Sequence, residues 1–153
     1  MPRKPLEIDS RFLPSGVSKN WLIAGAAAEF SINTWTFWFV YRMRSCDHGQ
    51  RRKRLTLQAA QAAMLLLLVS FVAALAAERP KLASWLAAAF FATALTTALL
   101  MRSWLHGIPG VPDCGRVTKA EFIAVDAVNW MAFLGFAIKI AGLVASLWVA
   151  ATI

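Results

Sequence analysis

Charged residues are scarce in this sequence, and they are nearly missing from its long apolar runs. Of 153 residues only 16% are Asp, Glu, Lys or Arg, while 59% are hydrophobic; soluble domains carry about a quarter charged and about half apolar. An ordinary soluble domain is thereby excluded, and lipid is the expected solvent. Histidine is equally sparse, and both residues, His48 and His106, fall between the apolar runs. That excludes haem held between helices by paired histidines. The sequence has no Gly-rich phosphate loop, no Ser/His/Asp set and no carboxylates at catalytic spacing, so a non-enzymatic role is expected. The first residues lack an apolar stretch ending in a small-residue cleavage site, so no removable signal peptide is expected.

What is present is a set of apolar runs separated by basic and turn-forming segments. Residues 1–18 hold three prolines, Gly16 and mixed charges, and read as an irregular extramembrane tail. Residues 19–153 read as one membrane domain with spans at about 21–43, 57–77, 82–101 and 121–150, each close to the roughly 20 residues that cross a bilayer. The expected fold is an all-α integral membrane protein, four antiparallel transmembrane helices in a bundle. Glu78-Arg79-Pro80-Lys81 is so short that the second and third spans must form a tight hairpin. The Ala-, Leu-, Trp- and Arg-rich usage fits a bacterial inner membrane.

The net charge of +8 does not point to nucleic acid, because the cations cluster where anionic headgroups would meet them. Arg42, Arg44, Arg51, Arg52, Lys53, Arg54, Arg102, Arg116 and Lys119 lie in or beside the first and third loops; Arg3, Lys4, Arg11, Lys19, Arg79 and Lys81 lie on the other side. The positive-inside bias favours cytoplasmic first and third loops. The run Arg51-Arg52-Lys53-Arg54 is read as a basic patch for lipid or a partner subunit.

Ionisable groups inside a span cost several kcal/mol, which singles out Glu29, Asp126 and Lys139. Glu29 lies about 12 Å from the start of the first span and Lys139 about 16 Å from the same surface in the fourth, at 1.5 Å per residue. They are expected to face each other, with the first and fourth helices in contact. Gly25, Glu29, Asn33 and Thr36 form one helical stripe, and Gly135, Lys139, Gly142 and Ser146 another. Asp126 is expected beside Arg42 or Arg44, and Asn129 beside Trp38 or Tyr41. The run Ala24-Gly25-Ala26-Ala27-Ala28-Glu29 resembles the first helix of small multidrug transporters. The basic first loop, the Gly/Pro-rich third loop and Lys139 depart from that pattern, and no family is assigned.

Two roles follow. One is an accessory or scaffold subunit of a larger membrane complex, binding lipid and other membrane subunits; here Trp35, Phe37, Trp38 and Trp130 are a candidate platform for a quinone, carotenoid or chlorin. The other is a small homo-oligomeric transporter or channel using Glu29, Asn33 and Lys139. The first is preferred because an opposed glutamate and lysine would cancel. Cys46, His48, His106 and Cys114 share one side of the membrane and have the donor chemistry of a tetrahedral zinc site. In an oxidising compartment a Cys46–Cys114 disulfide is the better reading.

Overall fold

The computed structural model describes residues 19–46, 49–108 and 118–152. The N-terminal tail, His48 and Cys114 lie outside the described residues. The rest is helical, with no strand among the described residues: α1 Lys19–Arg42, α2 Arg51–Ala76, α3 Pro80–His106 and α4 Lys119–Thr152, plus a 3-10 turn at Met43–Cys46.

Helix boundaries follow local chemistry. Pro80 is the first residue of α3, where a missing N–H costs nothing. Thr118 caps α4, its Oγ1 accepting the Glu121 N–H at 3.1 Å, the first half of a Thr-x-x-Glu capping box. At the end of α2 the Arg79 N–H reaches the Ala74 carbonyl at 2.9 Å and the Glu78 N–H reaches Leu75 at 3.1 Å. This is a Schellman closure, and its left-handed position is held by Glu78 at φ 56, where glycine is favoured. Glu78→Gly is therefore expected to stabilise the hairpin by about 1 kcal/mol. A thermal melt in detergent checks this; a lower melting point would contradict it.

Three helices are long and apolar enough to cross a membrane: Arg51–Ala76, Pro80–His106 and Lys119–Val149. The sequence reading has four crossings. The first helix is less apolar than these three because Asn20, Glu29, Ser31, Asn33, Thr34 and Thr36 interrupt it.

The expected contacts are present. α2 and α3 share the broadest interface, α1 packs on both α2 and α4, and α3 touches α4 more sparsely, closing a four-helix ring. The large side chains pointing outward are apolar, Leu66, Trp85, Met131, Ile138 and Trp148 among them. Outward hydroxyls are satisfied locally: Ser31, Thr34, Thr93 and Thr96 each donate to the carbonyl four residues back.

The interior holds two apolar clusters. The larger, towards the α2–α3 turn, includes Leu22, Phe71, Phe90 and Phe136, and Phe136 meets Phe71, Phe90 and Phe91 with ring centroids 5.6 Å apart. The smaller, at the opposite end, joins Phe39, Met43, Leu57, Trp104 and Val125. Trp104 is fully buried there.

Candidate functional site: a polar interior between two apolar clusters

The stripe Gly25, Glu29, Asn33 and Thr36 is the buried face of α1. Glu29 is only 2% exposed. The Asn33 amide donates to its Oε2 at 3.0 Å and to the Glu29 carbonyl at 2.7 Å. Its other oxygen, Oε1, is buried and has no hydrogen-bond partner among the described residues. A carboxylate so placed forfeits hydration without full compensation.

The expected Glu29–Lys139 ion pair does not form. Lys139 lies on the predicted interface, its stem crossing α1 at Gly25: a Cβ there would meet Lys139 Cδ at 2.8 Å and Phe136 Cδ1 at 3.1 Å. From that notch the ammonium turns towards the N-terminal end of α1 and sits 4.3 Å from the centroid of the Trp21 ring. Level alone did not foresee this, because a lysine's long stem lets its charge leave the depth of its backbone. Gly135, on the same predicted stripe, faces open space.

The other pairings also shift. Arg42 forms a two-pronged ion pair with Glu121, Nη1 donating to Oε2 at 3.2 Å and Nη2 to Oε1. The sequence offered Asp126, but that residue is exposed. Five positions separate the two acids, so they point to different sides of α4. Asn129 donates to Thr36 Oγ1 at 2.5 Å rather than to Trp38 or Tyr41.

Four further polar residues complete the interior: Gln58, Gln61 and Thr97, which sequence reasoning passed over, and Arg54, which it placed in the basic patch. Arg54, Gln58, Gln61 and Thr97 are buried. Arg54 donates to Gln58 at 3.0 Å, and both amide atoms of Gln61 lack partners. The helix register brings Gln61 and Thr97 to one level. Gln61 lies about 24 Å before the α2–α3 turn and Thr97 about 26 Å after it, at helical rise. Phe91 meets Phe133, and Thr97 lies about 9 Å past the one while Asn129 lies about 6 Å before the other. Thr36, bonded to Asn129, brings in α1. Each helix thus contributes one polar side chain to a layer between the two apolar clusters, with Asn33 and Glu29 continuing it along α1. The spacing Arg54, Gln58, Gln61, at i, i+4 and i+7, was the signal available in the sequence.

The basic run is the first turn of α2 rather than a loop. Cations oppose the helix dipole there, so their placement does not serve helix stability. Arg51, Arg52 and Lys53 are exposed whereas Arg54 turns inward, so the outward patch is three residues. Of the proposed aromatic platform, Trp38 stacks on Tyr41 in its own helix, and Trp130 meets Phe133 in its own. Trp35 packs against the smaller apolar cluster, and Phe37 is half-buried. His106 is the last residue of α3. Cys46 is in a disulfide and has no thiolate to give a metal, which removes one ligand from the proposed set.

Comparison with protein-family models, with curated proteins and with solved structures finds no match to this chain.

Proposed function

We propose that α1 is a fourth membrane crossing and that the chain is a small transporter or channel, working as a homo-oligomer in a bacterial inner membrane. At about 36 Å for 24 residues, α1 exceeds a hydrocarbon core of roughly 30 Å. It packs beside two helices that are themselves apolar enough to cross. Glu29, Asn33 and Thr36 face inward, which is where a spanning helix keeps its costliest polar groups, while the outward Ser31 and Thr34 bond their own backbone.

The observation carrying the transport reading is Glu29 itself, buried, with one oxygen unpartnered. An accessory subunit was preferred on the sequence because Glu29 and Lys139 were expected to neutralise each other. Without that pair, a packing role explains neither the cost of burying the carboxylate nor the polar layer beside it. The test is reconstitution: the purified chain is expected to behave as a small symmetric oligomer and to support cation or proton flux in vesicles.

One observation favours the accessory role as a second reading. A groove of about 680 Å³ runs along the outer face, lined by Phe91 of α3 and by α4 residues from Ala137 to Val149, including Trp148. It suits an acyl chain, another apolar ligand or a partner helix. Co-purification in fixed stoichiometry with other membrane proteins would support it.

The orientation we propose reverses the positive-inside expectation. A disulfide at Cys46 belongs in an oxidising compartment, so the first and third loops face the periplasm and both termini the cytoplasm. Cys114, the one other cysteine, is the proposed bridge partner. Peptide mapping of membranes lysed with a thiol-blocking reagent is expected to recover a linked Cys46–Cys114 peptide. Recovery of both cysteines as blocked free thiols would sink the bridge and the orientation together.

A further inference from the structure

We infer that Lys139 is a tethered counter-ion for Glu29: its ammonium leaves the Trp21 ring and takes the place of a proton on Glu29 when that carboxyl empties. The inference rests on the transport reading and names its cargo as the proton.

Glu29 and Lys139 are the two ionisable side chains in the middle of the four helices. Residues 20–40 contain no other, residues 55–77 and 82–101 contain none, and residues 127–152 contain only Lys139. The charged and titratable groups nearest along the surrounding helices are Lys19, Tyr41 and Arg42 on α1, Arg54 on α2, Glu78 in the turn after it, Lys81 and Arg102 on α3, and Asp126 on α4, all towards the ends. Any change of charge at Glu29 must therefore be answered by Lys139 or by the cargo.

The geometry gives Lys139 two destinations at equal reach. Its stem crosses α1 at Gly25, and its Nζ lies 3.4 Å from where a Cβ on that glycine would stand. Trp21 is four residues to one side of Gly25 and Glu29 four residues to the other, about one turn, or roughly 6 Å, each way. The Trp21 ring holds the ammonium in one direction. In the other waits Glu29 Oε1, buried and unpartnered. Gly25, lacking a Cβ, leaves the stem free to pivot.

The exchange balances. In the proposed cycle the arrangement with Lys139 on the face of the Trp21 indole is the one in which Glu29 holds a proton and is neutral. When the carboxyl O–H breaks, the proton goes to water and the bonding pair stays on the carboxylate. The ammonium then pivots onto that carboxylate without gaining or losing a proton. Rebinding of a proton displaces it. A metal cation is not the cargo: it needs several oxygen ligands, whereas Asn33 presents N–H donors to Glu29.

The test is the infrared carboxyl band of the full chain in nanodiscs, followed against pH and assigned by its loss in Glu29→Gln. In Lys139→Met the carboxyl is expected to stay protonated to a proton concentration at least tenfold lower than in the wild type. Lys139→Arg should retain the wild-type curve. Gly25→Ala, which keeps both charges but obstructs the pivot, should shift the curve in the same direction as Lys139→Met, and it carries the test if the methionine variant does not fold. Coincident curves for wild type, Lys139→Met and Gly25→Ala would overturn the inference, as would a wild-type curve that moves with sodium concentration. Proton flux in vesicles separates the two levels. Separated curves without wild-type flux uphold the counter-ion and defeat the transport reading; flux with coincident curves does the reverse.

Discussion

Replacing Glu29 with leucine is expected to stop flux and, at the same time, to stabilise the protein by about 1–3 kcal/mol, the scale of a buried polar group left unsatisfied. The two effects share one origin. Glu29 Oε1 is buried without a partner, so the folded state carries a desolvated oxygen that the wild type never repays through packing. Leucine removes it at similar volume. Asn33 keeps a partner, because its amide also donates to the residue-29 carbonyl at 2.7 Å. Denaturant titration in mixed micelles measures the stability change. A packing role for the glutamate requires the opposite sign, with loss of stability in the leucine variant. Stabilisation with loss of activity is the pattern of a residue kept for work rather than for folding.

Phe136→Ala is expected to carry the largest destabilisation, about 3–5 kcal/mol. Phe136 stands where α4 meets the α2–α3 hairpin, with ring contacts to Phe71, Phe90 and Phe91, and it flanks Gly25 on α1. In lipid the loss is mainly one of packing, since acyl chains are as apolar as the side chains they replace. The cavity would open between all four helices, where no lipid chain enters. Trp85→Ala is the control: at 76% exposed its ring stands outside the bundle, and its removal should change stability by about 0.5 kcal/mol or less. Equal losses for the two variants would mean that the phenylalanine cluster is not the packing centre.

Much of the architecture was legible in the sequence because its signals are periodic or local. The apolar runs placed the helices, the four-residue turn at Glu78–Lys81 made the hairpin, and the stripe from Gly25 to Thr36 identified the buried face of α1. The contact between α1 and α4 followed from matching the depths of Glu29 and Lys139. What depth cannot supply is direction. Lys139 reaches the expected interface yet sends its charge one turn towards the N-terminal end of α1. Glu121 rather than Asp126 takes Arg42 because the two acids point differently around one helix. The polar layer was harder still. Gln61 and Thr97 carry no charge and sit in runs dominated by Ala and Leu, so their burial emerges only once the α2–α3 register sets them level.

That layer changes the weight of the functional readings. A bundle whose interior charges cancelled would need no cargo. Here the acid is deep, its counter-charge lies against Trp21, and neutral polar side chains from the four helices lie between the two apolar clusters.

The most direct measurement is proton flux driven by a pH gradient into vesicles holding the purified chain, read with an entrapped pH-sensitive dye, for the wild type and Glu29→Gln side by side. The account predicts flux in the wild type and none above empty vesicles in the glutamine variant, with both proteins equally folded and inserted. Equal flux through the two, or none through either, would contradict it.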